Sequence, residues 1–104
     1  MDKSNMKTIT LPRLNKLTPT LESTALKLLE EAGELAQAIG KFRNLSGENY
    51  VVDEQVMENI ASELADTAQT CITMMYVLEE THGVDIDKVI EQHIAKLKQK
   101  GYCD

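Results

Sequence analysis

Apolar residues recur at alternating spacings of four and three along the chain: Leu21, Ala25, Leu28, Ala32, Leu35, Ile39 and Phe42 in one stretch, and Met57, Ile60, Leu64, Ala68, Cys71, Met75 and Leu78 in the next. A third, shorter set is Ile86, Val89, Ile90, Ile94 and Leu97. That period puts each set on one face of an α-helix. Thr18 suits an N-cap and Pro19 the first helical position, where its missing N–H costs nothing, so the first helix is predicted over residues 18–43. Ser46, Gly47 and Asn49 interrupt the pattern and predict a loop over 44–52. Asp53 can cap a second helix, 53–82, with Glu54 at the positive end of its dipole. Asp85 can cap a third, 85–100, which carries Lys96, Lys98 and Lys100 toward its C-terminal end and stops at Gly101. Residues 1–17 hold Ile9, Leu11, Leu14 and Leu17 around Pro12 and are read as an arm covering apolar surface.

The expected class is all-α, a single helical domain over 1–104 built as an antiparallel hairpin plus a third helix. Scarce aromatic residues, three Tyr and one Phe, agree with helix over sheet. On both long helices the apolar residues spread beyond one stripe, to Leu26, Leu29 and Ala36 on the first and Ala61, Ala65 and Ile72 on the second. One hairpin partner cannot cover faces that wide. A homo-oligomer is therefore expected, a dimer or a dimer of dimers whose hairpins form a four-helix bundle.

Charge narrows the function classes. A formal net charge of −6 disfavours binding to a nucleic-acid backbone, which relies on basic patches. Two cysteines, Cys71 and Cys103, are too few for a disulfide framework or a zinc site. The first residues lack the apolar run of a signal peptide, and nothing approaches the roughly 20 apolar residues of a membrane span, so a soluble cytoplasmic protein is expected.

The candidate chemistry lies in two acid pairs, Glu31 with Glu34 and Glu63 with Asp66. Residues at i and i+3 are neighbours on a helix surface, so each pair repels itself unless a cation intervenes. No Lys or Arg follows Glu34, Glu63 or Asp66 by three or four residues, and none occurs between Arg43 and Lys88. The acids are thus read as lacking a positive neighbour, and a hard divalent cation would relieve them. Helical-wheel angles put Glu31 roughly 70° and Glu34 roughly 130° to one side of the first stripe, with Glu63 about 110° and Asp66 about 170° to the same side of the second. Asp66 is the member pointing farthest away. Glu34 lies nine residues before Arg43 and Glu63 nine after Glu54, so the pairs are expected at equal depth from the turn. A lone acid pair is usually a solvated face; two at matched depth favour a site. Met57, Met74 and Met75 are read as core filler, and His82 and His93 have no metal-ligand partner at useful spacing.

The stretch LLEEAGELAQAI followed by ELADT resembles the EExxE and ExxD signature of the MazG-like all-α nucleoside triphosphate pyrophosphohydrolases, a pattern similar to that of helical dUTPases and phosphoribosyl-ATP pyrophosphohydrolases. The resemblance implies that Glu31, Glu34, Glu63 and Asp66 hold Mg²⁺, with Mn²⁺ as an alternative. It implies attack of water at the α-phosphorus of a nucleoside triphosphate, releasing a nucleoside monophosphate and pyrophosphate. Glu30 would orient that water or bind a second ion. Lys96 matches a lysine common in the family, whereas Lys100 stands where an asparagine is common and Tyr102 and Cys103 where an arginine is expected. Both lysines suit the negative end of a helix dipole and are the candidates for binding substrate phosphates. The competing expectation is a helical regulatory or interaction protein that keeps the fold without turnover.

Overall fold

The computed structural model describes residues 5–42 and 54–104, so the loop expected at 44–52 and the cap expected at Asp53 lie outside the described residues. Three helices follow in order: α1, Leu21–Phe42; α2, Glu54–His82; and α3, Ile86–Gln99. Among the described residues there is no strand, and the class is all-α. No helix there is long and apolar enough to cross a membrane.

α1 begins later than Thr18. Thr20 is its cap: the Thr20 hydroxyl accepts from the Ser23 amide at 3.0 Å, and the Ser23 hydroxyl accepts from the Thr20 amide at 2.8 Å. This is a reciprocal capping box with Ser in the usual Glu position, and it satisfies two otherwise orphaned amides. Thr18 has no such partner three residues on and stays, with Pro19, in the approach to the helix. Asp85 caps α3 by accepting from the Lys88 amide at 3.1 Å. At the other end Gly101, at φ 78°, closes a Schellman turn in which the Tyr102 amide donates to Leu97 O and the Gly101 amide to Lys98 O.

α1 and α2 form an antiparallel hairpin. Lys41 and Ala38 share a cavity wall with Val56 and Asn59, and Thr24 shares one with Thr70 and Thr73, so rising numbers on α1 meet falling numbers on α2. The seam between them takes in only part of each expected apolar stripe. On α1 the more buried positions are Thr24, Leu28, Glu31, Leu35, Ala38 and Phe42, while Ala25, Ala32 and Ile39 are exposed. On α2 the seam takes in Val56, Ile60, Glu63, Thr67, Thr70, Thr73 and Val77, leaving Met57 and Leu64 exposed. Both helices are therefore rotated toward their acids. The reason is visible in the sequence: each helix has apolar residues on more than one face, and only one of those faces can meet the other helix.

Threonines let the helices approach. Thr24 donates to Thr20 O at 2.7 Å, Thr67 to Glu63 O at 2.9 Å and Thr70 to Asp66 O at 3.1 Å. Each of these hydroxyls is satisfied by its own helix, four residues back, so none of the three is left unpaired.

The arm crosses the hairpin near the C-terminal half of α2. Arg13 grips Glu80 through two bonds of 2.7 Å, from Nε to Oε1 and from Nη2 to Oε2. Gln69 Nε2 donates to Pro12 O at 2.9 Å. A planar fork meeting a carboxylate sets direction as well as contact, and together the two anchors lay Leu14 and Leu17 beside α1 and α2.

α3 is different. It has no buried residue and, among the described residues, packs on α2 and not on α1.

Candidate metal centre

The hairpin register brings α1 and α2 acids together across the seam. Glu31, Glu63 and Asp66 each offer a carboxylate oxygen, and these three atoms lie within 4.8 Å of one another. Glu31 is 5 % exposed, an unusual burial for a carboxylate. Its Oε2 is buried without a hydrogen-bond partner, and so is Oε2 of Glu63. Desolvating an anionic oxygen without a donor is costly. Three carboxylates converging with two unsatisfied oxygens could hold a hard divalent cation, which would satisfy both.

The α2 acids stand on a braced turn. Glu63 and Asp66 lend their backbone carbonyls to Thr67 and Thr70, which fixes two side-chain rotors beside the site. Asp66, expected to point farthest from the hairpin, belongs to the converging group, because the actual seam on α2 is rotated toward it. Glu34 does not belong to that group. It stands next to it, exposed, with its carboxyl raised above the ordinary range chiefly by the charge of Glu31, then by partial desolvation and the charge of Glu63. Two cavities flank the centre. One of about 620 Å³ is walled by the arm (Leu14, Leu17, Thr18, Pro19), by Ser23, Thr24 and Lys27, and by Gln69, Thr70 and Thr73, and it reaches Glu31 and Asp66. The other, of about 580 Å³, lies toward the turn and is lined by Glu34, Gln37, Ala38, Lys41, Val56, Asn59, Ser62 and Glu63. Both volumes fall within the range of small-molecule sites.

The expectation that the acids lack a positive neighbour is wrong for Glu31. Lys27 Nζ lies 2.9 Å from Glu31 Oε1 and 3.7 Å from Glu30 Oε1. The ammonium is held more tightly protonated than usual, first through its bond to Glu31, then by the charges of Glu30 and Glu31. The signal is Lys27 itself, one helical turn before Glu31, where residues at i and i+4 meet. Gln69 and the arm residues of the larger cavity carry no comparable spacing signal, because they reach the site only through the fold. Glu30 is exposed and lines neither cavity. Lys96 on α3 and Lys100 at its C-terminal cap are exposed, α3 does not touch α1, and neither lysine lines a cavity flanking the acids.

Comparison with curated proteins and with solved structures gives no match. The profile of the MazG nucleotide pyrophosphohydrolase domain, however, matches residues 19–101, from the approach to α1 to the turn after α3. With both acid pairs inside that span, the chain belongs to the MazG nucleotide pyrophosphohydrolase domain family.

Proposed function

We propose that this chain is a Mg²⁺-dependent nucleoside triphosphate pyrophosphohydrolase, cleaving between the α and β phosphates to release a nucleoside monophosphate and pyrophosphate. The observation that carries the reading is the convergence of Glu31, Glu63 and Asp66 around buried, unsatisfied carboxylate oxygens. A bound Mg²⁺, or Mn²⁺ in its place, supplies charge neutralisation of the phosphate oxygens and a more acidic water. Glu31, Glu63 and Asp66 would hold it. Glu34, with its raised carboxyl beside Glu31 and Glu63, would complete the ligand set or accept a proton from the attacking water. Glu30, exposed and 3.7 Å from the Lys27 ammonium, would hold Lys27 rather than orient water.

The arm-side cavity suits the nucleoside, since its leucines and proline offer apolar walls and its threonines and Gln69 offer polar ones. The functional unit is a homo-oligomer. Leu26, Leu29 and Leu64 are 70 %, 74 % and 55 % exposed on the helical hairpin. Leucines left in water on two neighbouring helices support a second hairpin as their cover. Lys96 and Lys100 would then meet substrate phosphates only in a neighbouring copy, since α3 stays clear of α1 in its own chain. The free Cys71 and Cys103 suit a reducing cytoplasm.

The test is release of pyrophosphate from a panel of nucleoside triphosphates with Mg²⁺, for the wild type, Glu34→Gln and Asp66→Asn. Turnover of at least one nucleotide, lost in Asp66→Asn, is the expected result. No release from any of them would leave the helical regulatory protein as the better reading.

A further inference from the structure

Lys27 is placed oddly for a residue that only supports a helix. A lysine four residues N-terminal to a glutamate is the weaker orientation of an i,i+4 pair. Its partner is nevertheless the most buried carboxylate of the acid cluster, and its ammonium sits on one oxygen of Glu31 while the other oxygen has no partner. The same side chain is 54 % exposed and lines the arm-side cavity together with Glu31 and Asp66. A divalent ion among the three carboxylates would compete with this ammonium for Glu31 and repel it at short range. The open direction for the displaced side chain is the cavity that it already lines.

We propose that Lys27 has two positions: it neutralises Glu31 while the centre holds no divalent ion, and once an ion is bound it turns into the arm-side cavity to bind phosphate oxygens of the substrate. The inference rests on the metal-centre reading above and adds a residue to it. Lys27 keeps a buried carboxylate paired in the empty protein, lowers the affinity of the centre for metal alone, and returns its charge to the polyanion. Metal and triphosphate then bind better together than either does separately, which is the behaviour of linked sites.

Calorimetry on the full chain tests this with Mn²⁺ alone and, separately, with the Mg²⁺ complex of inorganic tripolyphosphate. Lys27→Gln should bind Mn²⁺ on the order of tenfold more tightly, because the competitor is gone, and Mg²⁺–tripolyphosphate on the order of tenfold more weakly. Lys27→Arg, which keeps the charge, should restore both toward wild type. Lys41→Gln controls for the general field: Lys41 lines the other cavity and forms no ion pair among the described residues, so its loss should move Mn²⁺ affinity by no more than about twofold. Unchanged or weaker Mn²⁺ binding by Lys27→Gln overturns the inference, and so does a Lys41→Gln effect of equal size. A wild-type chain that binds no Mn²⁺ removes the metal centre itself, whereas normal Mn²⁺ binding with no response at Lys27 removes only the two-position lysine.

Discussion

The inner seam and the outer flank of the α1–α2 hairpin invert the usual arrangement of a small helical protein. The seam buries Glu31 and three threonines, with Val77 the only buried hydrophobic residue among the described ones, whereas Leu26, Leu29 and Leu64 stay in water. A lone hairpin gains little from such a distribution, because apolar burial is the main favourable term in folding. The difference separates two tasks: the seam assembles carboxylates at a cost in stability, and the flank holds the apolar area that a second copy would cover. Strain at a functional site compensated elsewhere is a familiar pattern.

The sharpest break of this contrast is at Glu63. Glu63→Gln removes one of three converging charges, so pyrophosphate release should fall by about 10²–10³-fold, while the metal-free protein melts higher than wild type. A variant that lost activity and stability together would make Glu63 a structural residue. On the flank, Leu29→Glu combined with Leu64→Glu should convert the proposed oligomer to a monomer in sedimentation velocity, since each leucine contributes on the order of 2 kcal/mol when covered. An unchanged sedimentation coefficient would show that this flank is not the contact. Thr20→Ala removes the α1 cap and should cost about 1 kcal/mol in urea unfolding, with Thr18→Ala close to neutral.

The smallest effect concerns the arm. The Arg13 guanidinium holds the Glu80 carboxyl below its usual range, chiefly through their hydrogen bonds. A depressed folded value means that the contribution is complete above the unfolded carboxylate value of about 4.3 and is lost as pH falls through the folded one. Hydrogen exchange of arm amides should therefore gain relative protection as pH rises toward neutrality and lose it in acid. Glu80→Gln should abolish that pH dependence without changing protection elsewhere.

The three helices, the Asp85 cap and the Gly101 stop are legible in the sequence because long apolar periods and glycine at positive φ leave few alternatives. The seam is not legible in the same way. Periodicity identifies apolar faces but not which one meets the neighbouring helix, and here Leu64 and Met57, counted with the second stripe, point to solvent. That rotation is also why Asp66 joins the cluster and Glu34 stands beside it. Thr20 prevails over Thr18 as the cap because Ser23 returns the hydrogen bond. Lys27 was within reach of the i,i+4 rule, which applies toward the N-terminus as much as toward the C-terminus. The arm's approach to Gln69 and Glu80 spans most of the chain and has no local signal.

The most direct measurement is anomalous diffraction from crystals of the wild-type chain soaked in Mn²⁺. The expected map has a peak within coordination distance of carboxylate oxygens from Glu31, Glu63 and Asp66, with the Lys27 ammonium withdrawn from Glu31. A map with no peak between α1 and α2, and with Lys27 still on Glu31 at saturating Mn²⁺, would contradict a metal centre in the seam.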